Sequence, residues 1–551
     1  MKKVWCLIWG LFMIFTTFSI GHQVAEASSI VDIDWEENVV SVFVNGEEVL
    51  FDSPQPPYVK DGYTLVPFRG IFDALDATLS WDEKTKTITG QLNGRKITLR
   101  LNEKAAMVNG EKVRLDVPAI SKYGRVFVPL RFISEGLGCQ VFWNASNRTV
   151  HIFSSQEVKV TYISTNLNVE TNDYRYDNCY DNYSAVSDRY MFADEGKIHI
   201  LGNDKEKLYI HHFDLAFRSH QQTIVPMDLP IFGGFHVSDD GYYYVVYGAE
   251  NYSELDSKDV FSIVKYNKEW KEVGKLRIRN VYVTQPFRAS NLEMDSRNGV
   301  LVVHTARLRY TSDDGKRHQS NISFLIDTKS MTLLPREAGS YQWPNNHVSH
   351  SFATFVRFDG DRVVYVDHGD AYPRSIVLQT EDNGMITSEI NILRFPGKVG
   401  DNYTGARLGG FEVATSNYVV VGSSVYPKNS YGLSETKNLF VATVPKDAED
   451  DTAVKINWLT DFSSSSRKSV EEMHIRKIND DRFLLIWRVD EEDRPSSTFY
   501  AVIDGEGRVV KEPKKISIPS PGNMHPLIIG NDVYWYSSSY VGTFIYKLHA
   551  E

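Results

Sequence analysis

Asp359-Gly360-Asp361-Arg362-Val363-Val364-Tyr365-Val366-Asp367-His368-Gly369-Asp370-Ala371-Tyr372-Pro373-Arg374 is the stretch on which the reading of the fold turns. A tight polar turn is followed by β-branched and aromatic residues, the chemistry of a strand lying on a pleated, half-buried surface. The same order recurs after Ser238-Asp239-Asp240-Gly241 and after Asn479-Asp480-Asp481. Seven such strings follow one another: Lys197–Leu201, Tyr242–Tyr247, Val300–His304, Arg362–Val366, Tyr418–Val421, Arg482–Trp487 and Val533–Tyr536. Their starts are 45, 58, 62, 56, 64 and 51 residues apart, a spacing that fits four-stranded propeller blades with inserted loops. Third strands are legible at Phe261–Tyr266, Ile322–Asp327, Leu439–Val444 and Phe499–Asp504. After the last second strand only Thr543–Leu548 remains, so the seventh blade is one strand short. Val158–Ser164, unpartnered nearer the N-terminus, is expected to supply it and close the ring. Residues 156–551 therefore read as a seven-bladed β-propeller.

In such blades the second-to-third loops and the blade-to-blade connections emerge on one face, where binding residues of closed β scaffolds concentrate. The expected loops are Thr305–Ser320, Asp367–Arg374, Ser423–Lys437 and Asp490–Ser497. Blades 3 and 4 carry most of the polar chemistry: Arg307, Arg309, His318, His347, His350, Asp367, His368, Asp370, Tyr372 and Arg374, with Tyr310 beside them. His with Asp suits a divalent metal at this His/Asp face. Arginine forks with tyrosine faces suit a sugar or an anion. The third reading is structural, with each group satisfying a neighbour. Neither an H-E-x-x-H helix nor a G-x-S-x-G elbow is present. Asp490–Asp493 and Lys446–Asp451 read as solvated charge runs.

Upstream lies an internal repeat. Val44-Asn45-Gly46 returns as Val108-Asn109-Gly110, Leu65-Val66-Pro67-Phe68-Arg69 as Phe127-Val128-Pro129-Leu130-Arg131, Trp81-Asp82 as Trp143-Asn144, and Lys86-Thr87-Ile88 as Arg148-Thr149-Val150; the last three are offset by 62 residues. Each unit reads as a hairpin through an Asn-Gly turn, a strand ending in Pro, a short helix (Ile71–Leu75; Ile133–Leu137) and a strand pair around the Trp. Arg69 and Arg131, at equivalent places, are expected to bond within their own repeats.

These residues resemble the copper amine oxidase N-terminal-like family, a stalk domain common in exported proteins of Gram-positive bacteria. The resemblance covers about residues 38–153, in two copies, and implies an extracellular accessory module in a domain spanning 28–155. It does not imply an oxidase. That reaction needs a quinone made from Tyr in an Asn-Tyr-acidic context and three copper-binding His. Here Asn182-Tyr183, Asn251-Tyr252, Asn402-Tyr403 and Asn417-Tyr418 are followed by Ser, Ser, Thr and Val, and no His-x-His occurs. Copper is not expected, and no cofactor is assigned.

Lys2 and Lys3, the apolar run Val4–Ile20 and Ala25-Glu26-Ala27 form a secretory signal over residues 1–27, cut before Ser28. Losing two Lys and one Glu takes the formal charge from -11 to -12, and no later segment is apolar enough to span a membrane. Cys6 leaves with the signal. Cys139 and Cys179 remain and read as two separate thiols. With 60 Lys+Arg against 71 Asp+Glu, the chain lacks the basic surface that nucleic acid requires. The fold class is mainly β: a small α+β stalk domain of two repeats, then the propeller. The expected role is an exported or wall-associated protein that binds envelope glycan or protein, weighed above catalysis. The alternative is a carbohydrate-active enzyme, either a hydrolase using Asp367 and Asp370 or a lyase using a Tyr base.

Overall fold

The computed structural model describes residues 39–51, 56–122, 124–164, 167, 184, 186–187, 189–288, 290–335, 340–425 and 436–550. The signal segment and Cys179 lie outside them.

From Val158 onward the chain forms five four-stranded antiparallel sheets and one nine-stranded sheet. The nine-stranded sheet is two blades joined through the single pair Ser320↔Ser349, so the ring has seven blades. We letter the strands of each blade a to d outward from the axis, where the a strands of successive blades touch. Every expected second strand is a b strand, and each runs on further than its apolar string. In blade 3 strand b is Val300–Thr311 and strand c Arg317–Asp327; in blade 4 they are Arg362–Ala371 and Arg374–Asp382. The expected loops Thr305–Ser320, Asp367–Arg374 and Asp490–Ser497 are therefore mostly hairpin strand, with turns only at 312–316, 372–373 and 492–493. Polar side chains ended the apolar pattern there, but the ladder is made by backbone groups and continues wherever neighbouring blades satisfy those side chains. Residues 426–435 of the blade 5 loop lie outside the described residues.

Closure takes place as the strand count requires. Val158–Ile163 pairs antiparallel with Gly542–His549, from Val158↔Leu548 to Ile163↔Thr543, and gives blade 7 its fourth strand beside Asp532–Ser539 and Leu527–Ile529. Every blade then has four strands or more, and the outer side of Gly542–His549 is covered.

The N-terminal module holds two four-stranded sheets and one five-stranded sheet. Its repeats meet where Leu65↔Pro129, Val66↔Val128 and Pro67↔Phe127 pair antiparallel, so equivalent valines face each other across a local two-fold. Asn45-Gly46 and Asn109-Gly110 both take positive φ, at 54° and 95° and at 52° and 90°, as a type I′ turn demands. Helices α1 (Phe68–Ala74) and α2 (Leu130–Gly136) start three residues before the expected positions, directly after Pro67 and Pro129. Proline ends the strand and presets φ for the turn into the helix. Arg131 pairs with Glu135 at 3.8 Å, within its own repeat. Cys139 is a buried free thiol, pushed up to about 12 by burial.

The two parts share an apolar seam. Phe142 and Phe153 pack on Phe544 of blade 7 at ring distances of 6.1 and 5.2 Å, and Asn144 donates to the Val541 carbonyl at 3.0 Å. Among the described residues no helix is long and apolar enough to cross a membrane.

Candidate functional site

Strand b of blade 4 sorts three of the ten expected site residues by alternation, because neighbours on a strand point to opposite faces. Asp367 faces blade 3 and is fully buried. It accepts hydrogen bonds from Ser351 Oγ at 2.7 Å and Asn321 Nδ2 at 3.4 Å, and its Oδ2 lies 3.0 Å from His304 Nε2. His368 and Asp370 face blade 5. His368 Nε2 lies 2.7 Å from Thr404 Oγ1, and burial, reinforced by the Arg407 charge, pushes its pKa down to about 3. Asp370 accepts from the Asn402 backbone N–H at 2.7 Å and forms a buried ion pair with Arg374. Arg374 also donates to the carbonyls of Pro396 at 2.9 Å and Tyr403 at 2.7 Å. Asp367, His368, Asp370 and Arg374 thus tie blade 4 to its neighbours.

That geometry corrects the paired-carboxylate expectation. Asp367 and Asp370, three residues apart on one strand, project to opposite sides of the blade, so they do not flank one glycosidic bond. The divalent-metal reading fares no better: among the described residues no three His, Cys, Asp or Glu side chains come together as metal ligands.

The other expected residues do gather at the surface. Arg309, half-buried near the end of blade 3 strand b, lays its guanidinium over the Trp343 ring at 4.7 Å. Trp343 is 49% exposed. Its ring lies 6.0 Å from that of His347 and 6.1 Å from that of Tyr282, which in turn lies 5.4 Å from Tyr310. His350 stacks near His318 at 6.4 Å. Its Nδ1 lies 3.6 Å from Asp370 Oδ2. His318 is bonded to Asp314 at 3.0 Å. Tyr372 stands on the blade 4 hairpin turn, 75% exposed. Tyr282, His350 and Tyr372 all have φ near +50°, unusual for side chains of that bulk.

Two features of this cluster are chemical rather than steric. Among the described residues the Arg309 guanidinium makes no hydrogen bond or ion pair, and its buried Nε is without a partner, as is His347 Nδ1. Burial, then the positive charges of Arg309 and Arg307, hold His347 down at about 4, and burial followed by Arg309 lowers His350. Near neutral pH His347 is therefore uncharged, and Arg309 supplies the positive charge at the surface.

Arg307, fully buried beneath, acts on the walls. Its guanidinium donates to the Val281 carbonyl and, at 2.5 Å, to the Gln342 carbonyl, each one residue before an aromatic of the cluster, Tyr282 and Trp343. Sequence reasoning missed Tyr282 and Trp343. The available signal was Tyr341-Gln342-Trp343-Pro344, an aromatic pair in an otherwise polar connection between blades.

Sequence reasoning also missed a ring of charges on the inner strands. Glu293 Oε1 lies 2.7 Å from His525 Nε2 and its Oε2 3.6 Å from Arg357, which reaches Glu412 at 3.7 Å. Burial raises the Glu293 carboxyl, but the His525, Arg357 and Arg476 charges outweigh it and hold the group down at about 2. The signal was a charge within an apolar a strand, as in Leu292-Glu293-Met294 and Phe355-Val356-Arg357-Phe358. A separate cleft of about 1970 Å³ opens between the N-terminal module and blade 6, lined by Arg69, Trp81, Arg488, Arg494 and Lys514 among others.

Against known proteins, residues 43–152 match the family described as the copper amine oxidase N-terminal domain, which is the N-terminal module alone. No curated protein matches the chain by sequence. Among solved structures it is similar to an acylaminoacyl peptidase in complex with Z-Gly-Gly-Phe-chloromethyl ketone, at 11% identity and TM-score 0.33, over 64% of this chain and 49% of that one. The chain thus spans about half of that peptidase. It is also similar to a subtype N10 neuraminidase-like protein of A/little yellow-shouldered bat/Guatemala, at 12% identity and TM-score 0.34, over 63% and 99% of the two chains. A third is Drosophila Semaphorin 1a, extracellular domains 1-2, at 9% identity and TM-score 0.41, over 68% and 87%. None of these likenesses carries an activity to this chain.

Proposed function

We propose that this is an exported binding protein in which the N-terminal module carries a propeller whose blade 3–4 face holds a glycan of the cell envelope. The observation that supports this best is Arg309 stacked, without an ion-pair partner, on the half-exposed Trp343, with Tyr282, Tyr310 and His347 around them. Sugar sites combine an aromatic platform for the apolar face of a ring with a few fixed polar groups. The buried Asp367, Asp370 and Arg374 support the platform by fixing the hairpins rather than by touching ligand. Export rests on the charged, apolar and Ala-x-Ala pattern of residues 1–27. N-terminal sequencing of the secreted protein should begin at Ser28, and a chain retaining Val4–Ile20 in the membrane fraction would refute it.

Binding is tested with a panel of envelope and plant polysaccharides against wild type and Trp343→Ala. Wild type should retain at least one polysaccharide, and Trp343→Ala should lose it while unfolding at nearly the same temperature, because the ring is half exposed. Retention by the variant at wild-type strength, or no retention by wild type, would overturn the proposal.

A further inference from the structure

We infer that the sugar recognised at the Arg309–Trp343 cluster is an acidic one, a pyranose bearing a carboxylate, as in a uronic acid. This rests on the glycan-binding reading above and deepens it. A neutral-sugar platform needs aromatic faces and neutral donors or acceptors. An unpaired arginine adds nothing to such a platform and is held partly away from water at a cost, which its lowered pKa, caused by burial, records.

Three observations point to a carboxylate. First, among the described residues no carboxylate is paired with Arg309: Asp314, whose charge partly offsets the burial of the guanidinium, is hydrogen-bonded to His318, and on the adjoining blade Asp370 is held by Arg374 and the Asn402 N–H and Asp367 by Ser351, Asn321 and His304. The guanidinium is thus left with its fork unused, and guanidinium forks match carboxylates in two parallel hydrogen bonds. Secondly, His347, with its buried Nδ1 unpartnered, places another polar ring beside the same Trp343. Thirdly, buried Arg307 adds a second positive charge behind the first. It also hydrogen-bonds the carbonyls preceding Tyr282 and Trp343, so charge and stacking surface are fixed by one residue. A free phosphate or a phosphodiester polymer would satisfy the arginine but would leave half of the Trp343 ring without a partner; a uronate uses both.

The test measures binding of three probes to the full mature chain by calorimetry: a galacturonic acid trimer, the neutral galactose trimer of the same linkage, and a poly(glycerol phosphate). Wild type should bind the acidic trimer at least about tenfold more tightly than either of the others, the scale of one charge-assisted pair. Arg309→Gln should remove that preference and leave residual, equal binding of the two trimers, whereas Trp343→Ala should weaken both trimers together. Equal wild-type affinity for the two trimers would overturn the acidic assignment while leaving glycan binding intact. Phosphate polymer bound as tightly as the acidic trimer would overturn the sugar carboxylate as the recognised group. An Arg309→Gln protein that keeps the full preference would also overturn it. Failure of wild type to bind either trimer overturns the assignment as well, and the broader polysaccharide panel then decides whether glycan binding itself survives.

Discussion

Arg307 shows how one buried side chain can shape a surface. Its guanidinium is fully enclosed, and burial followed by the charge of Arg309 lowers its pKa to about 9. Arg307→Ala strips hydrogen bonds from the buried Val281 carbonyl and the part-buried Gln342 carbonyl, which should cost roughly 2 to 4 kcal/mol. Urea unfolding should show that loss, and quenching of tryptophan fluorescence should show Trp343 more accessible. An Arg307→Ala protein of wild-type stability would remove its positioning role. Asp367→Ala leaves the Ser351, Asn321 and His304 groups facing an empty buried space and should cost about 1 to 3 kcal/mol. Tyr372→Ala, on an exposed turn, should change stability by less than about 0.5 kcal/mol. Of the ten site residues read from the sequence, Asp367, His368, Asp370 and Arg374 tie blade 4 to its neighbours, whereas Arg309 on blade 3 stays unpaired at the surface. Sequence supplies the residue type, but whether a strand is enclosed by blades on both faces is a property of the ring.

Blade 1 carries an acid-sensitive element. On adjacent strands, His199 Nδ1 lies 2.7 Å from His212 Nδ1 and His211 Nδ1 lies 2.9 Å from His220 Nε2. His211 and His212 are consecutive, so the two pairs occupy opposite faces of the blade. Burial, then the neighbouring histidine charge, lowers both His211 and His212 to about 4, and burial lowers His199. The sign follows from linkage. These folded-state values lie below the unfolded value near 6.5, so between 6.5 and about 4 the unfolded chain takes up protons that the folded one refuses. The stability from this element is complete above pH 6.5 and falls as pH drops towards 4. Unfolding midpoints measured from pH 7.5 to 4 should decline across that window, and His211→Gln should make the decline shallower. A midpoint independent of pH between 6.5 and 4.5 would show that the pairs do not titrate with folding. In blade 4, Gly369 has a similarly local role: a Cβ there would sit 2.5 Å from the Pro373 carbonyl oxygen and 2.7 Å from Val348. Gly369→Ala should therefore displace the hairpin turn that presents Tyr372.

At the scale of the molecule, the ring is held shut by a strand from the other end of the chain. Val158–Ile163 contributes one full edge of blade 7, and Val158, Val160 and Ile163 are buried in a core shared with Trp535, Phe544 and Tyr546. A chain beginning at residue 156 keeps that strand, and one beginning at 166 does not. The shorter chain should unfold at a markedly lower temperature, because it loses a strand ladder and uncovers the edge of Gly542–His549. Equal melting of the two would refute closure as a source of stability. The seam of Phe142 and Phe153 on Phe544 predicts that the N-terminal module itself adds stability, so the whole mature chain should melt above the chain beginning at 156.

The sequence alone determined what local chemistry determines. Polar turns followed by β-branched runs, repeated seven times, specify the b strands, and a count that leaves one strand over specifies the closure. Asn-Gly turns and an offset of 62 residues specify the two-fold module. These features depend on backbone propensity and periodicity, which are readable within a few residues. Tertiary structure alone decided the rest. The lengths of the hairpins depend on neighbouring blades enclosing Asp367 and His368. That Arg309 is left unpaired on Trp343 depends on a contact between residues 34 positions apart, and that the Asp370–Arg374 pair, opposed on one hairpin, is buried depends on the connection into blade 5 that covers it. The inner ring of Glu293, Arg357, Glu412 and His525 draws its charges from different blades, brought together only when the ring closes. Strands can be read from the order of residues along the chain, but the partner of a buried charge is fixed only when the blades pack.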